Sequence, residues 1–302
     1  MLLVTLLAAV ALTQAAPAPP PPGDLIADVR TLSAASDNDA RFDAVTALLK
    51  RQGLPFTVET FSLDKPAATS PDQTPDPRSR GRNIVVSIGD GAEQIVVGAH
   101  YDAKWMADKT LSHGAVDNAA SSVMLVHAAA ALRRERLGRR VTFVWFDLEE
   151  SGLIGSTKYL EAHAGDRIAA MLNYDINGYG NTVLFGPPAG GADPQLLRTM
   201  LETCAAETID CLRFDGMPPS DDRPFGARKI PTLSMAILPA AEAHQIWLVL
   251  HAKGAGLAPG FIPPILATIH TPNDVPEKLD ANGIAIARRL AIALIRRVSE
   301  IR

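Results

Sequence analysis

The sequence has no Gly-x-Ser-x-Gly motif, which marks the nucleophile at a strand-to-helix turn in serine hydrolases of the α/β type. It also has no cluster of basic residues, since its 29 Lys and Arg are scattered among 33 Asp and Glu, for a formal net charge of -4. A phosphate backbone requires a basic face, so we expect no nucleic-acid partner. No internal repeat is visible, and 302 residues with 47% hydrophobic side chains suffice for the core of one large α/β domain.

Cysteine is nearly absent, because the chain contains only Cys204 and Cys211. On one continuous helix this spacing would separate the two Cα atoms by about 10 Å, at about 1.5 Å per residue. That distance is too long for a disulfide. A bridge therefore requires the helix to end between the cysteines, and Thr208, Ile209 and Asp210 are suited to end it. We predict a disulfide, formed in an oxidising compartment.

The N-terminal residues predict export from the cytoplasm. Residues 2–12 form an apolar run, small residues suited to signal cleavage follow it, and a Pro-rich stretch comes next. We therefore predict a signal peptide over residues 1–16, a Pro-rich linker over 17–23 and one folded domain over 24–302. The mature protein is expected in the periplasm or secreted, with no stable membrane association after cleavage. Because no Lys or Arg precedes the apolar run, an uncleaved anchor and a different start codon remain as alternatives.

Hydrophobic periodicity predicts that helices and strands alternate along the chain. Residues 24–51 have helical spacing with a polar break at 36–38, and the Pro- and Asp-rich residues 65–82 are predicted to form a mobile surface loop. Strands are predicted over 56–61, 83–88, 94–99, 141–146, 170–174 and 232–238, and further helices over 119–136, 152–162, 194–207 and 282–298. Such alternation predicts a mainly parallel sheet covered by helices.

Acidic and imidazole side chains follow two of the predicted strands directly. In open α/β sheets the carboxyl ends of the strands hold the active site. One strand leads into His100, and Asp102 is placed to accept the second ring proton of that histidine. Another runs into Glu149 and Glu150, whose mutual repulsion favours a neutralising cation. Since neighbouring side chains leave the backbone in different directions, one glutamate is predicted to bind metal while the other faces a bound water.

Three further residues complete a mixed set of nitrogen and oxygen ligands. Asp175 follows a predicted strand, Asp117 precedes a helix, and His270 ends a β-type run. Each alone fits a structural role, as a turn acid, a helix cap or a hydrogen-bonded histidine. Together with His100 and Glu150, however, they form the set that suits a pair of Zn²⁺ ions. Asp117 is the predicted bridge, because its two oxygens can contact two cations about 3.5 to 4 Å apart.

Five motifs, in this order and spacing, resemble those of the M28 zinc peptidases. They are GAHYD at 98–102, GAVDNAA at 114–120, FVWFDLEESGLIGS at 143–156, LNYD at 172–175 and HTPNDVPEKLD at 270–280. The resemblance covers residues 83–296 and implies a single catalytic domain with a three-layer α/β/α fold and a mixed, mainly parallel central sheet. It implies two zinc ions, a general base at Glu149, an orienting role for Asp102, and the metal ligands His100, Asp117, Glu150, Asp175 and His270.

The resemblance implies a zinc metallopeptidase, and we expect an aminopeptidase that hydrolyses N-terminal residues from peptide substrates. The main alternative is a glutaminyl cyclase, a related acyl-transfer enzyme that forms N-terminal pyroglutamate with one zinc. Asp222 departs from the SDHxPF stretch common in the family, and the pair Asp221-Asp222 is similar to an Asp-Asp found in the cyclases. A non-catalytic binding module on the same scaffold would be favoured by the loss of a ligand, but all candidate residues are present.

Overall fold

The structure is a computed structural model that describes residues 22–63, 74–188 and 193–301. The predicted signal peptide over 1–16 and most of the predicted linker lie outside the described residues, so both stay predictions. Within the described part of the chain, the strands are β1 Thr57–Ser62, β2 Arg80–Ile88, β3 Glu93–His100, β4 Arg140–Phe146, β5 Arg167–Tyr174, β6 Thr182–Gly186, β7 Cys211–Arg213 and β8 Thr232–Leu238. The α-helices are α1 Pro22–Ser33, α2 Asn38–Arg51, α3 Ala120–Leu132, α4 Ile154–Ala162, α5 Pro194–Glu207, α6 Asp222–Ala227, α7 Ala240–His251 and α8 Ala281–Ser299.

All eight strands join one sheet in the order β1-β2-β4-β3-β5-β8-β6-β7. The central strands β4, β3, β5 and β8 run parallel to one another. Antiparallel pairs flank them, because β2 pairs with β4 and with β1 on one side and β6 pairs with β8 on the other. The predicted mixed, mainly parallel sheet is therefore confirmed.

Helices cover both faces of the sheet, which gives the predicted three layers. Along β4, Phe143 and Trp145 pack into a core that also contains residues of α1, α2, α3, α5 and α8. The alternate residues Val144 and Phe146 pack on the opposite face against side chains of α4 and α6. This alternation is the two-residue period of a strand that is buried on both faces.

Helix α3 is the core helix of the larger layer. The window Ala115–Leu132 is long and apolar enough to cross a membrane, yet 94% of it is buried inside the fold. The predicted helix over 119–136 is confirmed in its position but ends earlier, at Leu132. The burial of this window on all sides fits the central helix of a globular core.

Several sequence predictions need correction. The stretch 65–82 is not a surface loop throughout, since β2 begins at Arg80 and the side chain of Asp76 is buried. Strands β6 and β7 and helices α6 and α7 were missed. These elements are short or, as in α7, amphipathic with few buried residues, so their hydrophobic periodicity is weak.

The two cysteines form a disulfide, as predicted. Helix α5 ends at Glu207, and Thr208 adopts the left-handed conformation that ends many helices. The chain then turns back into the edge strand β7, which brings the Cα atoms of Cys204 and Cys211 to 6.3 Å. The bridge therefore ties the end of α5 to the edge of the sheet.

Removing this bridge is expected to destabilise the domain moderately. The free energy of unfolding of the variant Cys204→Ala/Cys211→Ala should be about 2 kcal/mol lower than that of the wild type. The loss is moderate because the cross-link closes only a short loop in the unfolded chain. Urea unfolding of the variant measures this loss, and the reduced wild-type protein should show the same shift. A variant whose unfolding midpoint equals that of the oxidised protein would contradict a stabilising role.

Candidate metal centre

Three parallel strands end side by side and deliver most of the predicted ligands. His100 is the last residue of β3 and lies opposite Phe146, the last residue of β4. Asp175 follows β5 directly, while Glu149 and Glu150 lie in the turn after β4. Because these strands are parallel, their carboxyl ends share one edge of the sheet, where the sequence placed the site.

Asp117 reaches this edge from a tight turn that precedes α3. Gly114 opens the turn with a positive φ of 50°, and a Cβ there would lie 2.6 Å from the carbonyl oxygen of Asp117, so glycine is required. The carboxylate of Asp274 accepts hydrogen bonds from the main-chain N–H of Val116 at 2.7 Å and of Asp117 at 3.1 Å. Asn118 donates to the carbonyl of Tyr174 at 2.8 Å, which ties the turn to the end of β5. The residue at the N-cap of α3 is Ala119, with no side-chain cap hydrogen bond, so Asp117 does not cap this helix.

His270 reaches the site from a helical segment, so the prediction that it ends a β-type run is wrong. It follows the short helical turn Pro264–Ala267. The two prolines Pro263 and Pro264 cannot donate to a strand ladder. Ile265 and Ile269 pack into one apolar cluster, and their spacing of four residues is helical rather than extended. The side chain of His270 is 46% exposed, which makes it the most accessible of the five predicted ligands.

The five predicted ligands meet at this edge, with Asp117 between the two imidazoles. One oxygen of the Asp117 carboxylate lies 3.2 Å from Nε2 of His100, and the other lies 3.1 Å from Nε2 of His270. Nε2 of His270 is also 3.1 Å from Oε2 of Glu150. Nε2 of His100 is 3.5 Å from Oδ1 of Asp175. A carboxylate that divides its oxygens in this way is placed to bridge two cations.

The donor atoms fit a pair of zinc ions. They form two groups, Asp117 with Glu150 and His270, and His100 with Glu149 and Asp175, each with its ligand atoms within 4.8 Å of one another. A tetrahedral zinc with ligand distances of about 2.0 to 2.1 Å places its donors about 3.3 Å apart, close to the spacings measured here. Moreover, Nε2 of His100 and Oδ1 of Asp175 are buried without a hydrogen bond, as expected for metal-binding atoms.

Asp102 orients both the first histidine and the glutamate turn. Nδ1 of His100 lies 3.1 Å from the main-chain carbonyl of Asp102 and 3.4 Å from its carboxylate. Since a carbonyl can only accept, Nδ1 carries the proton and the lone pair of Nε2 faces the other carboxylates. The Asp102 carboxylate accepts hydrogen bonds from the N–H of Glu149 at 3.1 Å and of Glu150 at 3.2 Å. The orienting role predicted for Asp102 thus also includes the turn that carries the glutamates.

Burial and crowding of like charges shift the pKa values of the site. Burial raises the pKa of Glu149 well above its usual range; the neighbouring His100 opposes this, and Asp175 and Glu150 add to it. Burial alone would lower the pKa of His270, but its contacts with Asp117 and Glu150 raise the pKa to about 11. Crowded carboxylates of this kind favour a neighbouring positive charge.

Asp147, the first acid after β4, is structural and faces away from the ligands. Its buried carboxylate accepts hydrogen bonds from Nη1 of Arg78 at 3.0 Å and from Nη2 at 2.8 Å. It also accepts from the main-chain N–H of Arg82 at 2.8 Å and of Leu148 at 2.9 Å. Arg78 lies in the stretch that the sequence predicted to be a mobile loop, and it pairs with Asp76 as well. This buried ion network holds the start of the turn that carries Glu149.

The pair Asp221-Asp222 lies near the same edge of the sheet. The neighbouring Ser220 accepts a hydrogen bond from Asn173 in β5 at 3.0 Å. Both aspartates are buried, and burial raises the pKa of Asp221 to about 8 and that of Asp222 to about 7. This segment therefore brings two carboxyl groups, and no imidazole, to this edge of the sheet.

The fold and this centre define a three-layer α/β protein with two groups of candidate metal ligands at the carboxyl edge of its parallel strands. The sequence model of Peptidase family M28 matches residues 83–295 of this chain. The chain therefore belongs to peptidase family M28. The match contains all the site residues predicted from the sequence.

The chain is also similar in sequence to known aminopeptidases and in fold to several solved structures. A probable leucine aminopeptidase of Trichophyton verrucosum is 30% identical over 213 residues, which cover 68% of this chain and 54% of that protein. Against a zinc aminopeptidase from Bacillus subtilis the TM-score is 0.69 at 13% identity, covering 92% of this chain and 95% of the other. Against an Acidobacteriales bacterium glutaminyl cyclase the TM-score is 0.71 at 20% identity, and the match covers 97% of this chain and 99% of the other. The chain spans 29 to 54% of the length of the first curated relatives that it matches.

Proposed function

We propose that this protein is a metal-dependent exopeptidase, and specifically an aminopeptidase that uses two zinc ions to hydrolyse N-terminal residues from peptides. The observation that carries the proposal is the division of the Asp117 carboxylate between the imidazoles of His100 and His270, at 3.2 and 3.1 Å. Membership of peptidase family M28 and relatives named as aminopeptidases support the same reaction.

The roles of the side chains follow from their positions. A bound zinc pair would supply a water of lowered pKa and a Lewis acid for the peptide carbonyl. Glu149 lies beside the ligands, with Oε2 4.0 Å from Nε2 of His100, and is the proposed general base that accepts the proton of the water and delivers it to the leaving amine. Its raised pKa favours acceptance of the proton from the water, because a carboxylate of higher pKa is a stronger base.

Metal content and product together test this proposal. Zinc bound per chain is measured on the purified protein, alongside hydrolysis of aminoacyl-nitroanilides and cyclisation of a peptide with N-terminal glutamine. We expect two zinc ions per chain and release of the N-terminal residue. One zinc with pyroglutamate formation would instead assign the chain to the glutaminyl cyclases, whose Asp-Asp pair is similar to Asp221-Asp222.

We also propose that the protein acts outside the cytoplasm. The disulfide between Cys204 and Cys211 supports this, because such bonds persist in oxidising compartments. Fractionation of producing cells and N-terminal sequencing test the proposal. A mature N-terminus near Ala16 in the periplasm or medium is expected, whereas a cytoplasmic protein that begins at Met1 would refute it.

A further inference from the structure

Arg41 is a fully buried cation on α2 that the proposed reaction does not use. Its guanidinium donates to three main-chain carbonyls: Nε to Tyr101 at 2.6 Å, Nη1 to His113 at 2.8 Å and Nη2 to Gly114 at 3.2 Å. Arginine is almost never fully buried without partners, and here all its partners are carbonyls of two loops far away in the sequence.

Those two loops carry ligands of the metal centre. Tyr101 lies between His100 and Asp102, so its carbonyl fixes the backbone of the first ligand loop. Gly114 opens the turn that carries Asp117, and its carbonyl also accepts from the N–H of Ala119 at 3.0 Å. A planar guanidinium holds its N–H groups at fixed angles, so it sets the distance between the carbonyls it binds.

The positive charge of Arg41 lies close to the carboxylates of the metal centre. Burial lowers the pKa of Arg41 to about 10, against the opposing effect of the carboxylates of Asp102, Asp274, Asp117 and Glu150. The side chain therefore stays protonated near neutral pH, as a permanent cation beneath a cluster of acids. A cation at this point also repels metal ions, so its charge and its hydrogen bonds act on metal affinity in opposite directions.

We propose that Arg41 is a positioning residue of the metal centre: its guanidinium fixes the spacing between the His100 loop and the Asp117 loop, and thereby raises the affinity of the folded chain for the ions that both loops bind. Asn38, one turn earlier on α2, assists it. Asn38 accepts from the N–H of Ala103 at 2.9 Å and donates to the carbonyl of Ala103 at 3.1 Å. The inference rests on the metal centre of the proposed function and not on the reaction catalysed there.

The variant Arg41→Lys separates geometry from charge, because lysine keeps the positive charge and loses the planar fork. We expect the folded variant to bind Zn²⁺ about 10- to 100-fold more weakly than wild type, the range for residues that orient metal ligands. Affinity is measured on metal-stripped, folded protein by competition with a chromophoric chelator. Arg51→Lys is the matched control, since Arg51 is on the same helix, is 56% exposed and pairs with Asp28 instead.

A second control shows whether a loss of stability alone lowers zinc affinity. The Cys204→Ala/Cys211→Ala variant is destabilised far from the centre, and its zinc affinity should equal that of wild type. If Arg41→Lys lowers the melting temperature but binds zinc within twofold of wild type, Arg41 is only structural and the proposal is overturned. Should Arg41→Lys not fold, Asn38→Ala decides by the same measurement, with at least a threefold loss of affinity expected. Because zinc affinity is measured without substrate, a failure of the positioning role of Arg41 can be distinguished from a failure of the proposed peptidase activity.

Discussion

Replacing Glu149 with glutamine is expected to reduce the rate of hydrolysis by about 10²- to 10⁴-fold, the range that general acid–base groups contribute. Glutamine has almost the same shape but cannot accept a proton from water. The carboxylate of Glu149 is close to the ligands, 4.0 Å from Nε2 of His100, and the main chain there is held by Asp102. We therefore expect kcat on aminoacyl-nitroanilides to fall while the zinc content stays at the wild-type value.

The zinc content is the part of this experiment that discriminates between two roles. Glu149 falls in one group with His100 and Asp175, so it has the position of a ligand as well as of a base. If Glu149→Gln loses one of two zinc ions, Glu149 is a ligand and its assignment as the base fails. Glu161→Gln is the matched control, because Glu161 is an exposed residue that pairs only with Lys158 among the described ion pairs. That variant should keep both activity and metal.

The positions of the candidate ligands could be predicted from the sequence because local patterns determine where most of these residues fall. An apolar strand that leads directly into His100, Glu149 or Asp175 places that side chain at the carboxyl edge by backbone geometry alone. The parallel strands then bring these residues together without further specification. The prediction of the sheet succeeded for the same reason, since buried parallel strands are long apolar runs.

The supporting residues could not be predicted in this way, because their partners are distant in the sequence. Arg41 gave one weak signal, a charged residue on the apolar face of an amphipathic helix, next to Phe42. Its partners lie 60 to 73 residues away, and only the packing of α2 against the sheet reveals them. Asp274 had a stronger signal in the HTPND motif, but its hydrogen bonds to the Asp117 turn cross 157 and 158 residues.

Arg78 illustrates how composition can mislead. Its flanking prolines and aspartates are typical of a loop, and they predict a mobile segment. A buried salt bridge overrides that tendency, because Arg78 is the cation for two buried carboxylates, Asp76 and Asp147. The same network also explains why only two of the three acids after β4 face the metal centre.

Removing the cation of this network should therefore give the largest loss of stability of any variant considered. In Arg78→Met, the carboxylates of Asp76 and Asp147 remain buried without their partner, which costs about 3 to 5 kcal/mol. That is a large share of the roughly 5 to 15 kcal/mol that stabilises a typical domain. Urea unfolding followed by circular dichroism measures the loss. Arg296→Met is the matched control, because Arg296 is 52% exposed, pairs with Glu135 outside this network, and is expected to lose no more than about 1 kcal/mol.

A double-mutant cycle then shows whether the loss comes from the unpaired charge. Asp147→Asn removes the buried charge and keeps one acceptor oxygen, which can serve either the N–H of Arg82 or that of Leu148, since the two bond to different oxygens of Asp147. If the buried charge dominates, Arg78→Met/Asp147→Asn should be more stable than Arg78→Met alone, and the two losses should not add. Additive losses would show that the unpaired charge of Asp147 does not cause the loss in Arg78→Met. An Arg78→Met variant no less stable than Arg296→Met would show that this ion network does not hold the turn. Since the turn leads into Glu149, zinc affinity is expected to fall in Arg78→Met and to rise again in the double variant.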